Sequence, residues 1–398
     1  MVEVDGHIYA IGGIDGWRFL STSEYTTIQA DGSLAPWKKT TPLNEDRGFF
    51  GVAVHNGYVY AVGGGNGPNG HNLLRTVERA KLLKGGGLGP WEQEGQQLNI
   101  PRRCSKVLIM DGYLYAFGGY GGTLLDTIER TKINDDGTLG AWELLPESFT
   151  IPRYIHDMAK TDSGLYAIGG HAEKGGTGIA SVEYAMLQSD GRLSGWKQAT
   201  ALAQGRYGLT STAHDGYIYA MGGLNGASFY DLIERTRINN DGSLGSWETI
   251  APLPAPFADI GVITYRNWVY VIGGTNREGY YDSVFMTDIT ELANPASFAS
   301  KAAGVSTKVP MPSKPVLMIN KGTVLEVIDG GAYAYIKIDL GGNKSEWVAT
   351  GKSDVQAGDK VHYSPGIFMQ NFYSKGLDRT FEIIRFVGKL EKLPEGFQ

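Results

Sequence analysis

The chain has 398 residues, enough for two or three domains and a sizeable core. Its 36 Lys+Arg against 42 Asp+Glu leave a formal net charge of −6, too mild and of the wrong sign for a general binder of nucleic acid or anionic membranes. A single cysteine, Cys104, excludes an intrachain disulfide, a cysteine-based zinc site, an iron–sulfur cluster and haem attachment through Cys-x-x-Cys-His.

No run of about 18 apolar residues is present, so no membrane-spanning helix is expected. Residues 1–6 read as a strand with no basic or apolar leader pattern, so no signal peptide is expected within this chain; a mature or trimmed chain would look the same. The 57 glycines are about twice the usual share of ~7%. Beside 22 tyrosines they predict many short strands and tight turns.

A Tyr-x-hydrophobic-Gly-Gly phrase recurs six times, at residues 9–13, 60–64, 115–119, 166–170, 219–223 and 270–274. The first glycines, Gly12, Gly63, Gly118, Gly169, Gly222 and Gly273, are 51, 55, 51, 53 and 51 residues apart. Trp37, Trp91, Trp142, Trp196 and Trp247 repeat at the same period, and Phe298 holds the sixth place. Glu24, Glu78, Glu129, Glu183 and Glu234 each stand 13 residues before their Trp, with Phe285 in the sixth copy. The variable spacing falls between Gly-Gly and Glu, as expected of one loop of variable length on a fixed unit.

Each unit reads as four strands. In the second copy, Gly51–His55 and Tyr58–Val62 flank the turn pair Asn56-Gly57, followed by Thr76–Leu82 and a strand beginning at Trp91. Asp31-Gly32, Asp136-Gly137, Asp190-Gly191 and Asp241-Gly242, with Gly86-Gly87 in the same role, turn the chain between the last two strands. Four-stranded sheets every ~50 residues are propeller blades. On the double glycines, the Glu24-Tyr25 and Glu183-Tyr184 pairs and the spaced Trp, residues 1–300 resemble the kelch family. The resemblance implies a six-bladed ring with the second strand of each blade near the hub and the Trp and Tyr packed between blades. Closure has three solutions: packing alone, a returning 301–312 segment, or residues before Met1.

Sixteen residues before each first glycine stand Arg47, Arg102, Arg153 and Arg206, then Phe257. The position enters a blade, so it should face the channel mouth. The kelch resemblance implies that arginines there line a binding surface, with Tyr154 and Tyr207, and also Phe50 and His156, walling the pocket. Converging guanidiniums offer bidentate donors to carboxylates or phosphates. The alternative left open is that each arginine pairs with a carboxylate as a repeated structural bolt.

No catalytic residue, metal site or cofactor is expected. The Asp-to-Trp spacing of six departs from the five of sialidase repeats, and the scattered His exclude a galactose-oxidase-like copper site. A kelch-type sugar-acid (N-acetylneuraminate) mutarotase is the alternative reading, with His156, Glu45 or Asp46 as its acid–base group.

Residues 301–315 read as a linker, 316–390 as five short strands of a small closed OB-like barrel, and 391–398 as a tail. The run Met369–Phe381 resembles a phrase in small bacterial extracytoplasmic OB-like domains associated with multihaem cytochromes. Tyr373 stands where that phrase commonly has His, so no haem or metal is expected. Phe372, Tyr373, Lys375 and Arg379 are the candidate secondary contact, for a protein partner rather than nucleic acid. The composite expectation is an all-β, exported (periplasmic or cell-surface) bacterial protein, a six-bladed propeller with an OB-like barrel. Its role would be non-catalytic binding or scaffolding of an acidic peptide, sugar acid or partner protein.

Overall fold

The computed structural model describes residues 1–15, 18–67, 70–172, 177–188, 192–250, 252–276, 279–293, 320–331, 333–342, 344–351, 353–364, 366–374 and 376–393. The chain divides into two compact units, Met1–Asn276 with Tyr281–Thr307, and Arg277–Tyr280 with Lys308–Gln398. The expected linker 301–315, Phe298, the Asp190-Gly191 turn and Lys375 lie outside the described residues.

The first unit is a six-bladed β-propeller. Blade one comprises Val2–Val4, His7–Asp15, Arg18–Thr27 and Lys38–Thr40, paired in that order. Blade two follows with Gly51–His55, Tyr58–Val62, Val77–Leu82 and Leu88–Gln93. Blades three to five also have four strands each, and blade six has three among the described residues: Gly261–Tyr265, Trp268–Ile272 and Val284–Asp288. In blades two, three and five the first hairpin turns where the sequence supplies residues that tolerate positive φ. Asn56-Gly57 sits at 44° and 77°, Asp111-Gly112 at 48° and 75°, and Asp215-Gly216 at 48° and 74°. Positive φ at both central residues is the turn that matches strand twist.

The hub is built from first strands, not second strands as the kelch resemblance implied. The Lys106 ammonium reaches Asp157 at 2.7 Å, Lys160 Nζ donates to the Ile109 carbonyl at 2.8 Å, and the hydroxyls of Thr212 and Thr264 meet at 3.1 Å. All these residues belong to the first strands of successive blades. The short, polar-tolerant first strand faces the channel, while the apolar Tyr-x-hydrophobic strand is sealed between blades. Tyr60, Tyr166, Tyr219 and Tyr270 are fully buried there.

Three seams share one device. Tyr60 Oη donates to the Gly137 carbonyl at 2.8 Å, Tyr166 to Gly242 at 2.9 Å and Tyr270 to Gly32 at 2.7 Å. The last bond joins blade six to blade one. Around it Ile8, Ile28, Ile263, Tyr270 and Ile272 form one apolar cluster. Among the described residues the ring therefore closes by packing, with each blade's strands contributed by one continuous stretch of chain.

The second unit is one sheet of seven strands rather than five. Along the sheet they run Ile367–Ser374, Arg379–Phe386, Lys344–Thr350, Ala334–Gly341, Asn320–Asp329, Lys360–Tyr363 and Leu390–Lys392. The missed strands are Ile367–Ser374 and Leu390–Lys392, and the latter occupies the start of the expected tail. Described pairings do not close this sheet into the expected barrel, but they curl it strongly. Val387 N–H donates to the Ala349 carbonyl while Lys389 O accepts from Ser364 N–H, so two residues connect places three strands apart in the sheet order. Val324, Ile336, Ile338, Val348, Val361 and Tyr363 fill the inside of the curl.

Candidate functional site

The four arginines do not line an open mouth. Arg47, Arg102, Arg153 and Arg206 are all 0% exposed. Each guanidinium turns into its own blade and meets a carboxylate: Glu78 at 2.6 Å, Glu129 at 2.5 Å, Glu183 at 2.5 Å and Glu234 at 2.6 Å. Three of them also donate to the carbonyl of the first glycine sixteen residues on, Gly63, Gly118 and Gly169. Glu78 and Glu129 accept from backbone N–H groups of the loop carrying the arginine, and Glu183 does so at Thr150 and Ile151. Desolvation holds Arg102, Arg153 and Arg206 below the ordinary arginine range, opposed by the glutamates. The structural bolt is thus the observed arrangement. Buried charges must be paired, and these guanidiniums, with their Nη groups engaged and only Nε without a partner, are sealed inside the blades away from any ligand at the mouth. The recurring glutamate is visible in the sequence, but its pairing with the arginine is not. Its distance from the arginine varies (31, 27, 30 and 28 residues) because the variable loop lies between them.

The residues beside the bolts do reach the mouth. After the arginines come Gly48, Arg103, Tyr154, Tyr207 and, after Phe257, Ala258; each bridges to the residue following its blade's double glycine. The side chains form an arc across five blades. Phe19 meets Phe49 edge-on at 6.0 Å between centroids, and the Arg103 guanidinium lies 5.8 Å from Phe49 and 5.2 Å from Tyr120. Tyr120 meets Tyr154 at 6.0 Å, Tyr154 stacks on His171 at 5.0 Å, and His171 touches Tyr207 at 3.6 Å. His171 Nδ1 lies 2.9 Å from the Thr177 carbonyl, so the proton sits on Nδ1. Burial holds this imidazole below its usual value, and therefore neutral near pH 7. Of the expected pocket residues Tyr154 and Tyr207 belong to this arc, whereas the arginines, Phe50 and His156 do not. Phe50 packs into the core shared with Tyr9 and Val59.

Inside the arc the next residues, Phe49, Cys104, Ile155, Gly208 and Asp259, all adopt φ between 52° and 61°. Their backbones link into a chain around the throat. Cys104 N–H donates to Phe49 O at 2.7 Å, Ile155 to Cys104 at 3.4 Å, Gly208 to Ile155 at 3.0 Å and Asp259 to Gly208 at 2.7 Å. The acid–base groups of the isomerase alternative are not assembled here. His156 is 1% exposed, packs edge-on against Phe149 at 5.5 Å between centroids, and lies well below its ordinary pKa because of desolvation. Glu45 lies 3.3 Å from Arg47 and accepts from Asn66 and Thr76.

In the second unit, Phe372 packs on Phe386 at 4.9 Å, and the Arg379 guanidinium lies 4.6 Å from the Trp347 ring and 4.8 Å from Phe381. Tyr373, half-exposed, donates its hydroxyl to Asp378 at 2.6 Å. Tyr373 pairs with Thr380 while Phe372 pairs with Phe381 next to it, so alternation puts Tyr373 and Phe372 on opposite faces. The expected secondary contact is not one patch.

The kelch motif family matches residues 46–79 and 101–130. Both stretches run from a buried arginine to its glutamate, so the bolt belongs to the repeat itself. Kelch repeat and BTB domain-containing protein 1 of cowpox virus (strain GRI-90 / Grishak) is 25% identical over 242 residues, 58% of this chain and 40% of that protein. Mouse (Mus musculus) Kelch-like protein 35 is 30% identical over 167 residues, 40% of this chain and 26% of that protein. Beta-scruin of Limulus polyphemus is 26% identical over 175 residues, 43% and 18% respectively. The chain spans less than half the length of each of these relatives. A solved structure described as "Structure of YjhT" superimposes with a TM-score of 0.55 at 14% identity, covering 72% of this chain and 95% of that one, which establishes likeness of fold. Two stretches of the six-bladed propeller thus match the kelch motif. Among the described residues no helix is long and apolar enough to cross a membrane.

Proposed function

We infer that the protein is a non-catalytic binding or scaffolding module that captures a partner protein at the aromatic mouth of its propeller. The observation that carries this reading is the arc from Phe19 through Phe49, Arg103, Tyr120 and Tyr154 to Tyr207. It places rings from five blades on one face, where aromatic and arginine side chains give the largest share of binding energy per residue. The preference for acidic ligands rested on the four bolted arginines and falls with them. The second unit, taken as an OB-like domain, is given no docking surface of its own, because its candidate contact residues Phe372 and Tyr373 lie on opposite faces. Work outside the cytoplasm in a bacterial assembly rests on the resemblance of 369–381 to extracytoplasmic domains. The test is native purification of the tagged chain beside a Tyr120→Ala/Tyr154→Ala variant. A partner retained by the wild type and released by the variant, at unchanged melting temperature, supports the reading. Equal retention by both removes the mouth as the site.

A further inference from the structure

The throat residues Phe49, Cys104, Ile155, Gly208 and Asp259 hold equivalent positions in five blades, and Asp259 alone carries a charge. The fold does not require a carboxylate here, because a phenyl ring, a thiol, a branched alkyl group and no side chain at all serve the same backbone geometry. Asp259 reaches over blade five: a Cβ on Gly208 would lie 2.8 Å from its Oδ1. Among the described residues no hydrogen bond or ion pair meets the carboxylate. Lys106, the cation whose field it feels, is held at 2.7 Å by Asp157, and Asp157 is in turn held by the backbone N–H and hydroxyl of Ser211. Water reaches Asp259 at the throat, yet protein crowds it, and that desolvation pushes its carboxyl up to about 6. Tyr207, at the end of the aromatic arc, is near enough that Asp259 adds to the burial that raises its phenol to about 12.

Among the described residues of the throat, Asp259 is the one carboxylate on the channel wall, exposed and without an ion-pair partner, and so open to a cation from solution. We propose that Asp259 is the counter-charge for a basic side chain, the guanidinium or ammonium of an arginine or lysine, lowered into the throat by an extended segment of the captured partner. Tyr207, close enough to feel Asp259, offers a ring face that suits the methylene stem and cationic head of such a side chain. The inference rests on the binding reading and names the chemistry of what is bound.

The test uses the full-length chain and three small probes: Nα-acetyl-L-arginine amide, Nα-acetyl-L-lysine amide and Nα-acetyl-L-glutamate amide. Binding is followed by saturation-transfer NMR with competition between probes. The basic probes are expected to bind and the acidic one not, and Asp259→Asn to weaken the basic probes about tenfold or more. Asp259→Ile, which copies blade four, controls for folding by melting temperature. Preference for the glutamate probe, silence of all three, or unchanged binding to Asp259→Asn overturns the proposal. Basic probes that bind normally while Tyr120→Ala/Tyr154→Ala still retains its partner would fault the mouth reading and leave Asp259 standing.

Discussion

Phe257 and Phe285 meet with ring centroids 5.7 Å apart, in the places where the other blades hold the arginine and the glutamate of the bolt. The chain thus contains both solutions to one packing problem, four ion pairs and one aromatic pair. Buried ion pairs are often replaceable by apolar pairs of similar volume, whereas removing one partner leaves an uncompensated charge. Arg206→Phe and Glu234→Phe alone are each expected to lose about 3–5 kcal/mol, and the double variant to recover most of it. Urea denaturation of the four proteins checks this. A double variant as unstable as the sum of the singles would show that the aromatic pair does not transplant.

His156 supplies the second expectation. It sits three residues after Arg153, where the other blades place Phe50, Ser105, Leu209 and Ile260, and neither ring nitrogen has a partner among the described residues. Burial, with help from Arg153 and Lys106, lowers its pKa well below 6.5. The folded state therefore holds it neutral, while the unfolded chain protonates it near 6.5. Its contribution is fully present above that value and is lost as pH falls below it, because the unfolded state then binds the extra proton. His156→Leu should flatten the fall in melting temperature between pH 7 and pH 5, and an unchanged slope would refute the assignment.

Tyr270 tests the closure of the ring. If blade six meets blade one as tightly as internal blades meet each other, Tyr270→Phe should cost about 1 kcal/mol, the same as Tyr60→Phe or Tyr166→Phe. Each variant loses one buried hydroxyl-to-carbonyl bond. A much smaller loss at Tyr270, read by denaturant midpoint, would mean that the closing seam is looser than its sisters.

The propeller was legible because its repeats set the same residue in the same environment several times over, and Tyr60, Trp91 and Gly63 each announce a seam. What stayed hidden was direction. A repeated arginine near a channel fits a ligand ring and an internal bolt equally well. Only the carboxylate across a loop of changing length decides between them. The arc was invisible for the opposite reason: Phe49, Arg103, Tyr154 and Tyr207 stand at related positions but differ in type, so no motif marks them. In the second unit the strand Ile367–Ser374 was passed over although its residues are strand formers. Asn371, a turn-forming residue type that takes a φ of 50° in mid-strand, makes the segment look like a loop in the sequence.

The double glycines give the sharpest contrast. Gly63 has a φ of 63°, and a Cβ there would stand 2.7 Å from the Arg102 carbonyl of the next blade. That carbonyl also accepts from Gly64 N–H at 2.8 Å, so it cannot retreat without unmaking the seam and shifting the loop that carries the bolt. Gly57, in the hairpin turn, has a φ of 77° and nothing within 4 Å of the added carbon. Alanine in the left-handed region costs about 1–2 kcal/mol through its own backbone, and Gly57→Ala should cost no more than that. Gly63→Ala adds a clash with main chain, so its loss should exceed that of Gly57→Ala by several-fold. Equal melting temperatures for the two variants would mean that the blades are not held together at the double glycine.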